Sequence, residues 1–234
     1  MTGFPMLTRI ETSLLLRDPA TLFTMIIPLF ILVIFSSGGD PGDGTLPAMT
    51  MTISIGLVGL YMVPTALATY RERGILRRMS TTPVSPGALL GVQLVLQLIF
   101  AVAASAVLVG VWTLLYRAAP PASPATLFAI FLVGAAGVFA IGLVIAALAP
   151  GGRAANGIGV LLYFPLAFLG GLMQPKEMMP EFLAGLGEFT PLGAFRQAVH
   201  DAWTGAAVQP HLLGIMAAYA VVAGFVAARF FRWE

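Results

Sequence analysis

Residues 126–149 read TLFAIFLVGAAGVFAIGLVIAALA, inside a stretch without Asp, Glu, Lys or Arg that runs from residue 118 to residue 152. A helix rises ~1.5 Å per residue and the hydrocarbon core of a bilayer is ~30 Å thick, so about 20 mostly apolar residues make one crossing. The run therefore predicts a membrane span. Uncharged windows of the same kind lie on either side of it, at 19–39, 44–70, 79–116, 154–175 and 202–228. Trimmed of polar ends, none of them holds two comfortable spans. They predict an all-α membrane protein of six transmembrane helices near residues 20–37, 47–70, 89–115, 126–149, 155–173 and 208–228, forming a single transmembrane domain over 1–234.

Composition agrees. The chain is 59% hydrophobic and 9% charged, with a mean hydropathy of +0.94. Soluble domains carry about 25% charged residues, so lipid must be the main solvent here. No basic tract is interleaved with stacking aromatics, which speaks against nucleic-acid binding. The absence of cysteine excludes disulfides, zinc–thiolate sites and iron–sulfur clusters. Arginine is far commoner than lysine, and Ala and Gly abound, a bias typical of GC-rich bacterial genomes.

An even number of spans puts both termini on one side, and flanking arginines choose which. With cytoplasmic termini, Arg9, Arg17, Arg71, Arg73, Arg77, Arg78, Arg153, Arg229 and Arg232 fall inside, while Arg117, Lys176 and Arg196 fall outside. Both termini are predicted inside, in a bacterial inner membrane. The beginning of the chain, MTGFPMLTRIETSLLLRDP, shows no apolar core before Asp18 and no cleavable leader is expected. Leu7, Ile10 and Leu14 share one helical stripe, which predicts an interfacial helix over 4–17 that turns into the first span at Asp18-Pro19. The connection 174–207 is the longest, and Met178, Met179, Phe182, Leu183, Leu186 and Phe189 give it an amphipathic stretch. It predicts one or two short helices dipping back toward the membrane.

The predicted spans carry no acid or base in their cores, where ion-coupled transporters place one. There is no HExxH metal motif. The pair His200-Asp201 lies in the outer loop, where a solvated pair is expected rather than a catalytic dyad. The phosphate-binding GxxxxGK[ST] motif is absent too; the single lysine, Lys176, follows Pro175. An ATP-independent transporter or channel and a membrane subunit without cargo remain the rival readings at this point.

The most informative segment is YRERGILRRMSTTPVSPGALLG, residues 70–91. Glu72 to Met79 can form a short helix on the membrane surface, with Arg77 and Arg78 near its C-terminal end where cations favour the macrodipole. Arginines in such a place also contact anionic lipid headgroups. The segment resembles the loop between the second and third helices in permeases of type-2 ABC exporters, the branch that includes daunorubicin-type drug-resistance permeases. Glu72-Arg73-Gly74, Thr82-Pro83-Val84-Ser85-Pro86 and Gly91 carry the likeness. Arg17-Asp18-Pro19 with Pro28 is similar to the start of that family's first helix. Phe164-Pro165, Gly170-Gly171, Pro175, Met179-Pro180, Pro191-Leu192 and Phe195-Arg196 are similar to its fifth helix and outer loop. The order of these blocks matches over nearly the whole chain. Val92 stands where relatives often have Lys after the glycine, and Gly170 where they have Ser.

The resemblance implies a permease without an ATPase site of its own. It implies a dimer with a second copy or a homologous permease, each docked on a cytoplasmic ABC ATP-binding subunit that binds ATP and Mg2+. The 71–79 helix would couple the two, with Arg71, Glu72, Arg73, Arg77 and Arg78 at the contact, Glu72 as the ion-pair partner and Arg153 as a second contact. The second and fifth helices would line the path of a small amphipathic substrate, through Met51, Tyr61, Met62, Phe164 and Phe168. Gly56, Gly59, Gly157 and Gly159 would allow close helix approach. Pro64 and Pro165 would kink those helices, and Pro175, Met179, Pro180, Pro191 and Arg196 would form the outer gate.

Overall fold

A computed structural model describes residues 12–13, 19–36, 44–75, 86–174 and 178–230, and among these the chain is helical throughout, without strands. Helix α1 spans Pro19–Phe35 and α2 spans Thr45–Glu72. Helix α3 covers Pro86–Gly110 and runs on through a π-helical end at Val111–Leu115. Helices α4 (Pro124–Leu148) and α5 (Gly152–Leu169) follow. Two short helices, α6 (Glu181–Glu188) and α7 (Pro191–Thr204), precede α8 (Pro210–Phe230).

Five of these helices, α2, α3, α4, α5 and α8, are long and apolar enough to cross a membrane. Helix α1 has 17 residues and is shorter than that set. Its apolar run is clipped by Pro19 at one end and by the turn at Ser36 at the other. The described helices thus give five candidate spans where the sequence windows predict six. The interfacial helix expected over 4–17 lies outside the described residues apart from Thr12 and Ser13, and so do residues 76–85 of the expected coupling loop 71–88.

Helix α2 is the axle of the bundle. Helices α1, α3, α4, α5 and α7 all pack against it, and nearly every residue from Pro47 to Ala68 is buried or half-buried. Its middle is π-helical over Val58–Met62, where the Val63 N–H bonds to the Val58 carbonyl five residues back. Pro64 supplies the reason. In an α-helix the Leu60 carbonyl would accept from the N–H of residue 64, and proline has none. The extra residue in the turn relieves the proline ring and turns the Gly59 and Leu60 carbonyls toward the neighbouring helices. They meet glycines there: a Cβ on Gly142 would overlap the Gly59 oxygen, and one on Gly159 the Leu60 oxygen.

The connection after α5 folds back into the bundle. Leu192 of α7 reaches Gly56 of α2, and Phe195 sits on Gly134 of α4, edge-on to Phe131 at 5.9 Å. Gly134 is about 15 Å along α4 from its start, so α7 begins well inside the bundle. It ends at the rim, where the Trp203 carbonyl accepts from the Ala122 N–H at 3.0 Å. Helix α7 is re-entrant.

Substitution tests the axle directly. Gly159→Val places a branched side chain on the Leu60 carbonyl, and its melting temperature in detergent should fall by roughly 5 °C or more. Gly157→Ala has open space around it, and its unfolding curve should overlay the parent's.

Candidate functional site

A cavity of about 500 Å³ lies between α1, α2 and α5, within the usual range for small-ligand pockets. Phe23, Thr24, Ile27 and Ile31 of α1 form one wall, Ile53, Leu57 and Tyr61 of α2 the back, and Val160, Tyr163, Phe164 and Ala167 of α5 the other wall. Leu172 and Met173 close one end. Phe164 is 53% exposed, so the cavity opens sideways past it. Among the described residues, no charged side chain lines it. Its polar groups are the hydroxyls of Thr24, Tyr61 and Tyr163, and Thr24 already donates to the Thr21 carbonyl at 2.8 Å. Such a wall suits a neutral apolar molecule with one or two hydrogen-bonding groups; an ionic head would be stranded in it.

Of the residues expected along the path, Tyr61 and Phe164 line this cavity. Met51 is only 2% exposed and packs in the core. Met62 is buried too, its sulfur 3.1 Å from the Thr24 hydroxyl. Phe168 is half-buried one turn beyond Phe164 and is not in the wall. Sequence reasoning missed the α1 wall. Thr21 and Thr24, three residues apart and both buried, are the signal that α1 turns one face to the protein.

At one end of the bundle α2 stops beside the turn joining α4 to α5. Glu72 is the last residue of α2 rather than the first of a surface helix, because the helix continues through Arg71 and breaks only where Gly74 turns the chain at φ 65°. A Glu72 Oε2 atom accepts from the Gly152 N–H at 2.8 Å. The Arg71 guanidinium donates to the Ala147 carbonyl at 2.9 Å and to the Ala149 carbonyl. Arg73 and Arg153 are exposed beside this junction, while Arg77 and Arg78 lie outside the described residues.

The opposite end carries the expected gate residues. Met179 is buried, Pro180 leads into α6, and Pro191 opens α7 behind Thr190, whose hydroxyl accepts from the Gly193 N–H at 3.1 Å. Arg196 is half-buried on α7, and Pro175 lies outside the described residues. The expectation of a solvated His200-Asp201 pair is corrected. Both residues are on α7, and Asp201 is 6% exposed, accepting from Gln197 Nε2 at 2.9 Å. The re-entry of α7, which charge counting does not register, buries it. Helix α3 contributes a second unforeseen feature, the buried amides of Gln93 and Gln97. Pro165 lies inside α5 on its exposed face.

Residues 2–202 match the family model described as ABC-2 type transporter. The chain belongs to that family. A comparison with curated proteins finds no match. As an ABC-2 type transporter chain it is a permease subunit, a multi-pass membrane protein without an ATPase site, and the family implies an ABC ATP-binding partner and a lipid surrounding. Among the described residues no group of acids and histidines is placed to hold a metal ion.

An apolar phenyl-diazirine photolabel offered in liposomes should mark Tyr61 and Tyr163 several-fold more than the buried Met51. Ala167→Trp, which puts an indole into the cavity, should suppress labelling of Tyr61. Peptide mapping by mass spectrometry reads both.

Proposed function

We propose that this ABC-2 permease is the membrane half of an ATP-driven exporter that carries an amphipathic or hydrophobic compound out of the cytoplasm or the inner leaflet. The family match over residues 2–202 carries the reading, and the uncharged, laterally open cavity supports its cargo class. A drug-like or lipid-like molecule partitions into the bilayer first and can then enter past Phe164 and Phe23 without crossing a polar rim. This cargo class fits the daunorubicin-type branch that the loop at 70–91 resembles.

In this reading α1 is the sixth span. Its 17 residues reach about 26 Å along the axis, close enough to the hydrocarbon thickness for a modest thinning of the bilayer to accommodate it. Both termini then face the cytoplasm of a bacterial inner membrane, and the Arg71 end of the bundle meets the ATP-binding subunit. Arg73 and Arg153 present exposed charge there. ATP and Mg2+ belong to that partner. The exposed apolar faces of α1 and α5 flank the cavity mouth, and a second permease, identical or homologous, laid against them would turn an open groove into a closed path. Helices α6 and α7, with Met179, Pro191 and Arg196, cap its far end.

Two measurements test this. Inverted vesicles holding the permease with its ATPase should move Nile red only when ATP is supplied, and Ala167→Trp should slow that movement about tenfold while hydrolysis persists. Dye movement by the permease alone, with no nucleotide, overturns the exporter reading. Arg73→Ala combined with Arg153→Ala should weaken co-purification of the ATPase roughly fivefold.

A further inference from the structure

Helix α5 begins Gly151-Gly152-Arg153, and neither glycine has a side chain with which to cap the helix. Exposed N–H groups at a helix start call for an acceptor, and an anion there also suits the macrodipole. The acceptor comes from another helix: Glu72, 80 residues away in sequence, takes the Gly152 N–H. The preceding residue does the complementary task. Arg71 donates to the Ala147 and Ala149 carbonyls at the C-terminal end of α4, where a cation is favoured.

The junction is built to bring the chains this close. A Cβ on Gly151 would come 2.8 Å from Glu72 Cδ, and one on Gly152 would overlap the Thr69 hydroxyl. Two adjacent residues of one helix thus hold the two ends of a neighbouring turn with charges of the right sign for each.

We infer that Arg71 and Glu72 are positioning residues that clamp the α4–α5 turn to the end of α2, so that movement of α2 carries α5 and its cavity wall with it. The clamp acts within the chain, through Glu72 accepting from Gly152, and Glu72 is not the residue that binds the ATPase. The route runs from the end of α2, through the clamp, along α5 to Tyr163 and Phe164. This coupling role rests on the exporter reading above, whereas the contact itself does not.

The contact is tested on the permease alone. The chain has no cysteine, and a Cβ on Gly151 would lie 3.4 Å from Glu72 Cγ, the place a cysteine sulfur would take, so a disulfide is within reach. Glu72→Cys with Gly151→Cys should cross-link in membranes under mild oxidation, and failure to do so overturns the clamp. Coupling is tested on the complex with the ATPase, reading phenyl-diazirine labelling of Tyr163 with and without ATP and vanadate. The nucleotide should change labelling several-fold in the parent. Glu72→Ala should abolish that change while the ATPase still co-purifies and hydrolyses ATP. Glu72→Gln keeps an oxygen that can accept from Gly152 and should restore most of it. If Glu72→Ala responds like the parent, the positioning role is wrong. If Glu72→Ala and Glu72→Gln both lose the ATPase, Glu72 is a docking residue instead. A parent complex indifferent to nucleotide sinks the exporter reading and the coupling role with it, and the cross-link still decides the contact.

Discussion

The fold depends on how one proline is accommodated in a helix with no water around it. Inside a bilayer an unmet backbone carbonyl costs several kcal/mol, and Pro64 frees the Leu60 carbonyl in the most enclosed helix of the bundle. The π turn at Val58–Met62 moves the bonding to carbonyls five residues back, and the glycines facing it leave room for the carbonyls it turns outward. Each is of little use without the other, since a side chain at residue 142 or 159 would hold α4 and α5 away from the redirected carbonyls. The spacing of α2, α4 and α5 is therefore set by backbone against backbone, and apolar side chains fill in around it.

The extra residue in that turn also sets the direction of everything beyond it. One added residue rotates the rest of a helix by about 100°. Tyr61 lies within the π segment and faces the cavity, while Arg71 and Glu72 lie past it and face the α4–α5 turn. Tyr61 and Glu72 stand about three helical turns apart, and both turn toward α5. The cavity wall and the clamp both meet α5, the helix that Gly159 lets in.

Periodicity and charge made the crossing helices legible, because a run such as 126–149 has no other stable environment. Boundaries were less so. Glu72 looks like the start of a surface helix in sequence, since it heads an acidic-basic run, whereas the helix runs on unbroken from Val63 to Glu72 and turns only at Gly74. The cavity was half visible: Tyr61 and Phe164 stand out as aromatic residues on helices two and five, whereas the α1 wall is made of ordinary Ile and Phe that read as lipid-facing. Asp201 was misread for a related reason. Charge marks a residue as wet when the chain around it is a loop, and the re-entry of α7 depends on contacts of Leu192 and Phe195 with Gly56 and Gly134, far away in sequence.

Among the described residues, the polar groups buried inside the long apolar helices and α1 are neutral, and that decides how freely these helices can shift. Gln93, Gln97, Thr21, Thr24, Ser54 and Ser105 are all buried. Gln97 Oε1 and the hydroxyls of Thr21, Ser54 and Ser105 have no hydrogen-bond partner among the described residues. Each leaves a bond unmade at about 1–3 kcal/mol, a cost that a small shift between helices can raise or lower. A buried carboxylate or guanidinium would instead hold its partner fast, because parting them strands a charge in hydrocarbon. Helices that share only amides, hydroxyls and glycine contacts can slide without such a penalty. The charged side chains of α2 and α5 are gathered at one end of the bundle, at Arg71, Glu72 and Arg153, where the carboxylate and the Arg71 guanidinium meet backbone groups of the α4–α5 turn.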